Sequence, residues 1–526
     1  MLLFIQILFG PVSAEIKPLF FETEFQTANI TEKETLDNNM RSEENNPYVQ
    51  SNRYVEIDST ALRNESTLIL NLFDNIKLTA IIERIDERTS NNLTFFGKIE
   101  NEPISQIIIV LKQDRVTGNI KYQDKVYHIR WMGANVHSVA EVDWKAMPVG
   151  GPPVAMAESY AINDNSPEIQ AGSVAGASTD DGSTIDVMVA YTQAAASMGD
   201  IQSEIQLAID DINQAMINSS VSLTFRLVHT VMVDYNETGI ALTDLNRLGS
   251  SGDGFMDGIA DLRNTYGADL VALVTETMNK WGGLGQMNSS TPNESRAFHV
   301  TIRQALTYGT FAHEVGHNLG MHHEKAQDAT GGAYSYSHGY VDLTNRFKTI
   351  MSYGTQCGVA GFYCTSINYY SSAPSSGVTY NGHIIGDAVN ADNRLTVLNT
   401  KLAISRFRQS KSASEIGNIE AVEKGCFITT AAYGSYLDPH VQDFRDFRDQ
   451  YLEPHAAGRM LMRFYYKNSP PLANVIAKSP GLKSLSRLFL TPLAYMVSNP
   501  LKLILLTMAF AFLLMFKRTW RKGGVA

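Results

Sequence analysis

The spacing of a few residues in HEVGHNLGMHH, at 313–323, is that of a metal site, and this stretch holds four of the chain's twelve histidines. His313 and His317 are four apart, so on a helix their imidazoles leave one face a turn apart. Two nitrogens can then meet one Zn²⁺ at ~2.0–2.1 Å. Glu314, beside the first ligand, reaches a water on the metal rather than the metal. Its expected role is general base, with proton delivery to the leaving amine afterwards. Gly320 fits a sharp exit from the helix, because glycine takes positive φ at little cost. The chain can then double back and present His323 as third ligand, leaving a tetrahedral position open for catalysis. His322 is one residue out of register and is expected at the solvent or behind the ligands. A bare HExxH arises by accident, but five fixed positions on an expected helix rarely do.

The elements that must position these residues are legible around them. TIDVMVAYT (184–192), VSLTFRLVHTVMVDY, ADLVALVTE (268–276) and AFHVTIR (297–303) read as strands, the last leading into the motif helix. SEIQLAIDDINQAMINS carries Ile205, Ile209, Ile212 and Met216 at helical spacing, and NADNRLTVLNTKLAISRFRQ closes the unit. The pattern predicts an α/β domain over 184–409. Upstream, 66–147 is a series of short β-rich runs broken by Gly, Asn and Asp, a small mainly β domain. Residues 148–183 are Pro/Gly-rich and then small and polar, a linker exposed to proteases. Residues 15–65 are polar, with little periodicity, and read as poorly ordered.

HExxHxxGxxH followed by TIMSYG (349–354) resembles the metzincin zinc proteases. IDVMVAYT upstream and YYSSAP…YNGHIIGDAVNADNRLTVLN downstream resemble the reprolysin-like branch, nearest to bacterial peptidyl-Asp metalloendopeptidases. The resemblance covers 184–409 and implies a mixed twisted sheet with an active-site helix. It also implies one catalytic zinc, endopeptidase activity on proteins or peptides, and a zymogen whose β-rich domain is a propeptide. By the same resemblance Met351 floors the zinc site in a methionine turn. Tyr353 is either a fifth ligand or an oxyanion donor, an ordinary packed tyrosine being the alternative. Three features depart from the reprolysin pattern, the first being Tyr353 itself, which stands two residues after Met351 as in astacin-like and serralysin-like metzincins. Glu324 follows the third histidine where reprolysins carry Asp. No cysteine stands upstream of the catalytic domain, so a propeptide must block the cleft sterically or through a carboxylate or histidine, Asp143 and His137 being the candidates. WGGLGQM (281–287) is either an edge strand that pairs with extended substrate or a plain glycine-rich turn. If the protein is exported, Cys357 and Cys364 pair, leaving Cys426 over, with free buried thiols the alternative; by the resemblance the pair pins the loop after the methionine turn, which helps wall the specificity pocket.

Across 526 residues, 44% hydrophobic and 18% charged, two to four globular units are expected. The net charge of −11 argues against a nucleic-acid partner. Residues 1–14 end in a small-residue cleavage pattern and read as a signal peptide. From GCFITTAAYGS onward, 426–500 resembles the CFI-box module of bacterial secreted proteins, which implies a helical accessory region. Its charge run, Asp443, Arg445, Asp446, Arg448 and Asp449, reads as a solvated helix face. An apolar stretch at 501–516 precedes the basic tail 517–526, which suggests a short transmembrane anchor with the tail cytoplasmic. The sequence thus describes an exported zinc endopeptidase at a bacterial surface or facing the periplasm. The alternative is an inactive zinc-containing module for protein binding or adhesion.

Overall fold

The computed structural model describes residues 17–23, 30–154, 180–416, 427–433, 439–452 and 479–498, with scattered positions between 458 and 476. It divides into two units, Met1–Ser410 and Lys411–Ala526. The segments read as signal peptide and membrane anchor, most of the linker, and Cys426 lie outside the described residues. Among the described residues no helix is long and apolar enough to cross a membrane.

The first unit opens with an antiparallel nine-stranded sheet. Its strands are β1 (Phe20–Glu22), β2 (Val49–Ile57), β3 (Thr67–Phe73), β4 (Ile76–Thr89), β5 (Asn92–Ile99), β6 (Glu102–Lys112), β7 (Arg115–Tyr122), β8 (Lys125–Gly133) and β9 (Val136–Val142). Strict alternation buries Leu68, Leu70 and Leu72 on one face of β3 against Phe95, Ile107, Ile109 and Ile129. Residues 15–65 are not the poorly ordered segment that their polarity suggests. Pro18 bridges Ile69 on β3 while β1 pairs with β2, so this stretch links the two ends of the sheet. Leu19, Phe20, Val55 and Leu62 join its core. The helix Ile30–Glu44 packs through Leu36 and through polar residues with fixed partners: Asn39 Nδ2 donates to Met132 O (2.6 Å), and Glu43 meets Arg130 and Ser138.

The second half of the unit holds a five-stranded sheet in the order β11-β10-β12-β14-β13. These are β10 (Thr184–Thr192), β11 (Thr224–Val233), β12 (Leu270–Thr275), β13 (Gly283–Gly285) and β14 (Phe298–Ile302). All pairings are parallel except β13 with β14, so β13 is an antiparallel edge beside the strand that leads to the motif helix. The helix Ile201–Asn218 starts on its Asp200 cap and buries Ile205, Ile209, Ile212 and Met216 in the same core as Val315, Met351 and Val397.

The β-rich domain docks on that helix with few apolar contacts, Phe96, Ile108 and Val110 around Leu207, and many ionic ones. Arg130 bridges Glu43 and Glu204, and Arg303 binds both oxygens of Glu204; all four are at most 4% exposed. Burial opposes ionisation of Glu204, but the guanidiniums of Arg303 and Arg130 outweigh it and hold its pKa at about 2.

The second unit packs helices Phe427–Tyr433, Pro439–Phe447 and Pro480–Ser498 together. Tyr433 stacks on His440, and its hydroxyl lies 2.6 Å from Thr491 Oγ1. In the charge run expected to face solvent, Arg448 is instead buried.

Candidate metal centre and active-site cleft

The motif helix is Phe311–Asn318, entered through a kink at Tyr308 and Gly309 and left at Gly320, whose φ is +91°. Three bonds from Asn318 Nδ2, to the carbonyls of Gln286, Phe298 and Arg296, tie the end of the helix to β14 and the residues after β13. Its Oδ1 meets His299 Nδ1 at 2.9 Å. The helix is thereby fixed against the sheet edge. Reading the motif for ligands alone misses Asn318, a polar residue inside HNLG that the fold buries completely.

Doubling back after Gly320 brings His323 to His313 and His317. The Nε2 atoms of His313 and His317 each stand 3.1 Å from His323 Nε2. His313 Nδ1 donates to Ile350 O and His317 Nδ1 to Met321 O, both at 2.9 Å, so their Nε2 lone pairs point inward. Burial lowers the pKa of all three rings, His313 to about 4, so all are neutral at pH 7. Converging neutral lone pairs repel unless a cation sits among them. Ligands ~2.05 Å from a tetrahedral zinc stand about 3.3 Å apart, so the observed spacing fits that ion. Among the described residues, these three form the one cluster of His, Cys or carboxylate groups able to hold a metal.

Glu314 lies fully buried on the next position, and neither carboxylate oxygen has a hydrogen-bond partner. Burial pushes its pKa well above the carboxylate range, and the nearby Gly285 amide only partly offsets this. Glycines surround it because nothing larger fits. A Cβ on Gly283 would stand 2.7 Å from Glu314 Cγ, and one on Gly285 3.1 Å from Oε2. WGGLGQM is therefore an edge strand, as one of the two sequence readings has it, but its glycines admit the catalytic-helix carboxylate.

Met351 is fully buried beneath the helix, where a Cβ on Gly316 would overlap its sulfur. Glycine inside a helix costs ~1 kcal/mol relative to alanine, so Gly316 marks this contact. A Gly316→Ala chain is expected to lose about 1–3 kcal/mol of stability from overpacking, read as a lower denaturant midpoint; an unchanged midpoint would deny the contact. Tyr353 lies with its ring 4.0 Å from that of His323 and 5.9 Å from that of His313. Burial, then the charges of Glu314 and Glu324, push its hydroxyl pKa up, so it stays a proton donor. Glu324 accepts the Tyr353 amide (2.9 Å) on one oxygen and the Gly354 amide (3.1 Å) on the other. The residue that departs from the reprolysin pattern thus clamps the turn bearing Tyr353. Cys357 and Cys364 form a disulfide in the following loop. His322, one residue out of register, is buried: its Nδ1 accepts the His323 amide.

Main chain occupies the cleft, the steric alternative, and neither side-chain candidate does. Asp143 accepts the Lys145 amide, and His137 is buried in the β-rich domain, where its Nε2 accepts Val116 N–H; neither is placed in the site. Val149–Val154, assigned to the linker, runs along β13 instead, with parallel bridges Gly150–Gly283 and Val154–Gln286. Gly282 N donates to Val149 O (2.8 Å), Gly151 N to Gly283 O (2.7 Å) and Val154 N to Gly285 O (2.9 Å). The Tyr353 hydroxyl donates to Gly150 O at 2.6 Å, and a Cβ on Gly150 would collide with Glu314 and stand 2.8 Å from His313 Cδ2.

A helix-borne HExxH, a third histidine after a glycine turn and a methionine under the ligands define a zinc metallopeptidase. Comparison with known proteins agrees: residues 181–371 match Metallo-peptidase family M12, in its Reprolysin_5 model. A peptidyl-Asp metalloendopeptidase of Xanthomonas campestris pv. campestris is 30% identical over 416 residues, covering 76% of this chain and 96% of that one. One from Stenotrophomonas maltophilia is 34% identical, covering 62% and 74% respectively. Metalloproteinase-II from Bacteroides fragilis aligns in structure at 12% identity, 62% and 95% coverage and a TM-score of 0.38. The chain belongs to the peptidyl-Asp metalloendopeptidase family of zinc metalloendopeptidases.

Proposed function

We propose that this chain is the latent precursor of an endopeptidase in which Glu314 is the general base and Tyr353 the oxyanion donor. The observation that carries it is the Glu314 carboxylate, buried without a partner beside three converging imidazoles. A binding module has no use for such a group, and its desolvation is costly. His313, His317 and His323 would hold zinc, which when bound would supply a Lewis acid for the scissile carbonyl and for a water near neutral pH. Glu314 takes the proton of the attacking water and passes it to the leaving nitrogen. Tyr353, whose hydroxyl already donates to a peptide carbonyl in the cleft, turns that bond to the developing oxyanion.

Latency rests on Val149–Val154, which fills the edge-strand groove by main-chain pairing. The Cys357–Cys364 disulfide supports a working place outside the reducing cytosol. An anchor at 501–516 rests on the sequence alone. The relatives' name, peptidyl-Asp metalloendopeptidase, supports cleavage beside aspartate. The test is metal analysis alongside digestion of an unbiased peptide library, with and without chelator. About one zinc per chain, and cleavage lost on chelation and regained with zinc, are expected. Cleavage that survives complete removal of the metal would overturn the reading.

A further inference from the structure

We propose that Lys348 is the residue that reads an acidic side chain beside the scissile bond. This rests on the endopeptidase reading and adds its specificity group. A cavity of about 520 Å³ runs from His313 and Tyr353 past Ile350 and Cys357 to the β-rich domain. Five lysines line it. Four come from the β-rich domain and each faces a carboxylate: Lys98 with Glu83, Lys121 with Asp211, Lys125 with Glu141 and Lys145 with Asp124. Lys348 is the catalytic domain's own, and it makes no ion pair among the described residues.

The placement of Lys348 suits this task. Its strand, Phe347–Lys348, is pinned between Val341–Asp342 and Thr365–Ser366, with Phe347 fully buried, so the side chain leaves a rigid base. Nζ donates to Tyr353 O at 3.0 Å, and the ring of the same tyrosine lies 4.0 Å from that of His323. An ammonium has three donors, and this bond uses one. Glu324, whose negative charge favours the Lys348 ammonium without forming an ion pair with it, has both oxygens engaged by the Tyr353 and Gly354 amides. A partly buried cation with spare donors favours a carboxylate over its neutral amide isostere, because the amide leaves the charge unmatched.

The experiment compares two peptides that differ only by Asp or Asn beside the bond cut. It uses the zinc-loaded full chain carrying Gly150→Val to clear the groove, and measures both affinity by calorimetry and kcat/KM. The parent is expected to prefer the Asp peptide by about 100-fold, a preference that Lys348→Met abolishes, Lys348→Arg partly restores and Lys348→Glu inverts. If Lys348 only braced the Tyr353 turn, Lys348→Met would slow both peptides alike and keep the ratio, which overturns the proposal. No Asp preference in the parent overturns it too. Selective binding without cleavage leaves the proposal standing and removes the endopeptidase reading.

Discussion

A Glu314→Gln chain is expected to hold zinc as the wild type does and to cleave its best peptide about 10³-fold more slowly. General acid–base groups contribute ~10²–10⁴-fold, and here one carboxylate both takes and returns the proton. The same substitution is expected to stabilise the metal-free protein. Burial raises the Glu314 pKa in the folded state, so folding loses stability as pH rises from the unfolded value of about 4.3 through the folded one. Glutamine removes that loss. The variant's gain in melting temperature under chelation is therefore present at pH 7.5 and fades by about pH 4. Metal analysis, kcat/KM and melts at the two pH values make the check. Cleavage near the wild-type rate would remove Glu314 from the chemistry, and a destabilised variant would make it a structural residue.

The site was legible where function is written in side chains at short range. The four-residue step from His313 to His317, the glycine turn and His323 lie within one stretch, and local helix and turn geometry brings them together. Three kinds of information were hidden. Gly316 and Asn318 lie inside the motif but act through Met351 and the β13–β14 edge, which the helix meets only in the folded chain. The helix Ile30–Glu44 buries Asn39 and Glu43 beside Leu36, so half its inward face looks polar, and partners as distant as Arg130 and Met132 are needed to make sense of it. Val149–Val154 looked like a linker because main-chain pairing imposes no side-chain pattern, and its partner strand is more than a hundred residues away. Proline and glycine there signal a turn. In the structure they let the backbone enter a groove where Glu314 and His313 leave no space for a side chain.

That groove makes the last prediction. Replacing Gly150 with valine is expected to raise peptide cleavage by the zinc-loaded full chain about 100-fold. The segment is held by main-chain bonds to β13 and by the Tyr353 hydroxyl, each worth ~0.5–1.5 kcal/mol net. Tethering also keeps it at an effective concentration in the millimolar range. The wild-type groove is therefore closed nearly all the time. A Cβ at position 150 collides with Glu314 and His313, both fixed on a buried helix, so the segment must leave. Losing roughly 2.7 kcal/mol of its hold corresponds to the factor of 100. Gly151→Ala is the control: its Cβ would press on the end of the Leu284 side chain, 2.7 Å away, with Trp281 Cγ at 3.2 Å and Gly283 O at 3.3 Å, and latency should persist because neither Glu314 nor His313 is met. Zinc removal by chelator gives a second readout, faster in Gly150→Val than in wild type or Gly151→Ala. Equal cleavage and equal metal loss in all three chains would mean that the segment does not guard the site. The expected ordering instead makes the backbone of Gly150 the inhibitor, a steric block rather than a metal-binding side chain.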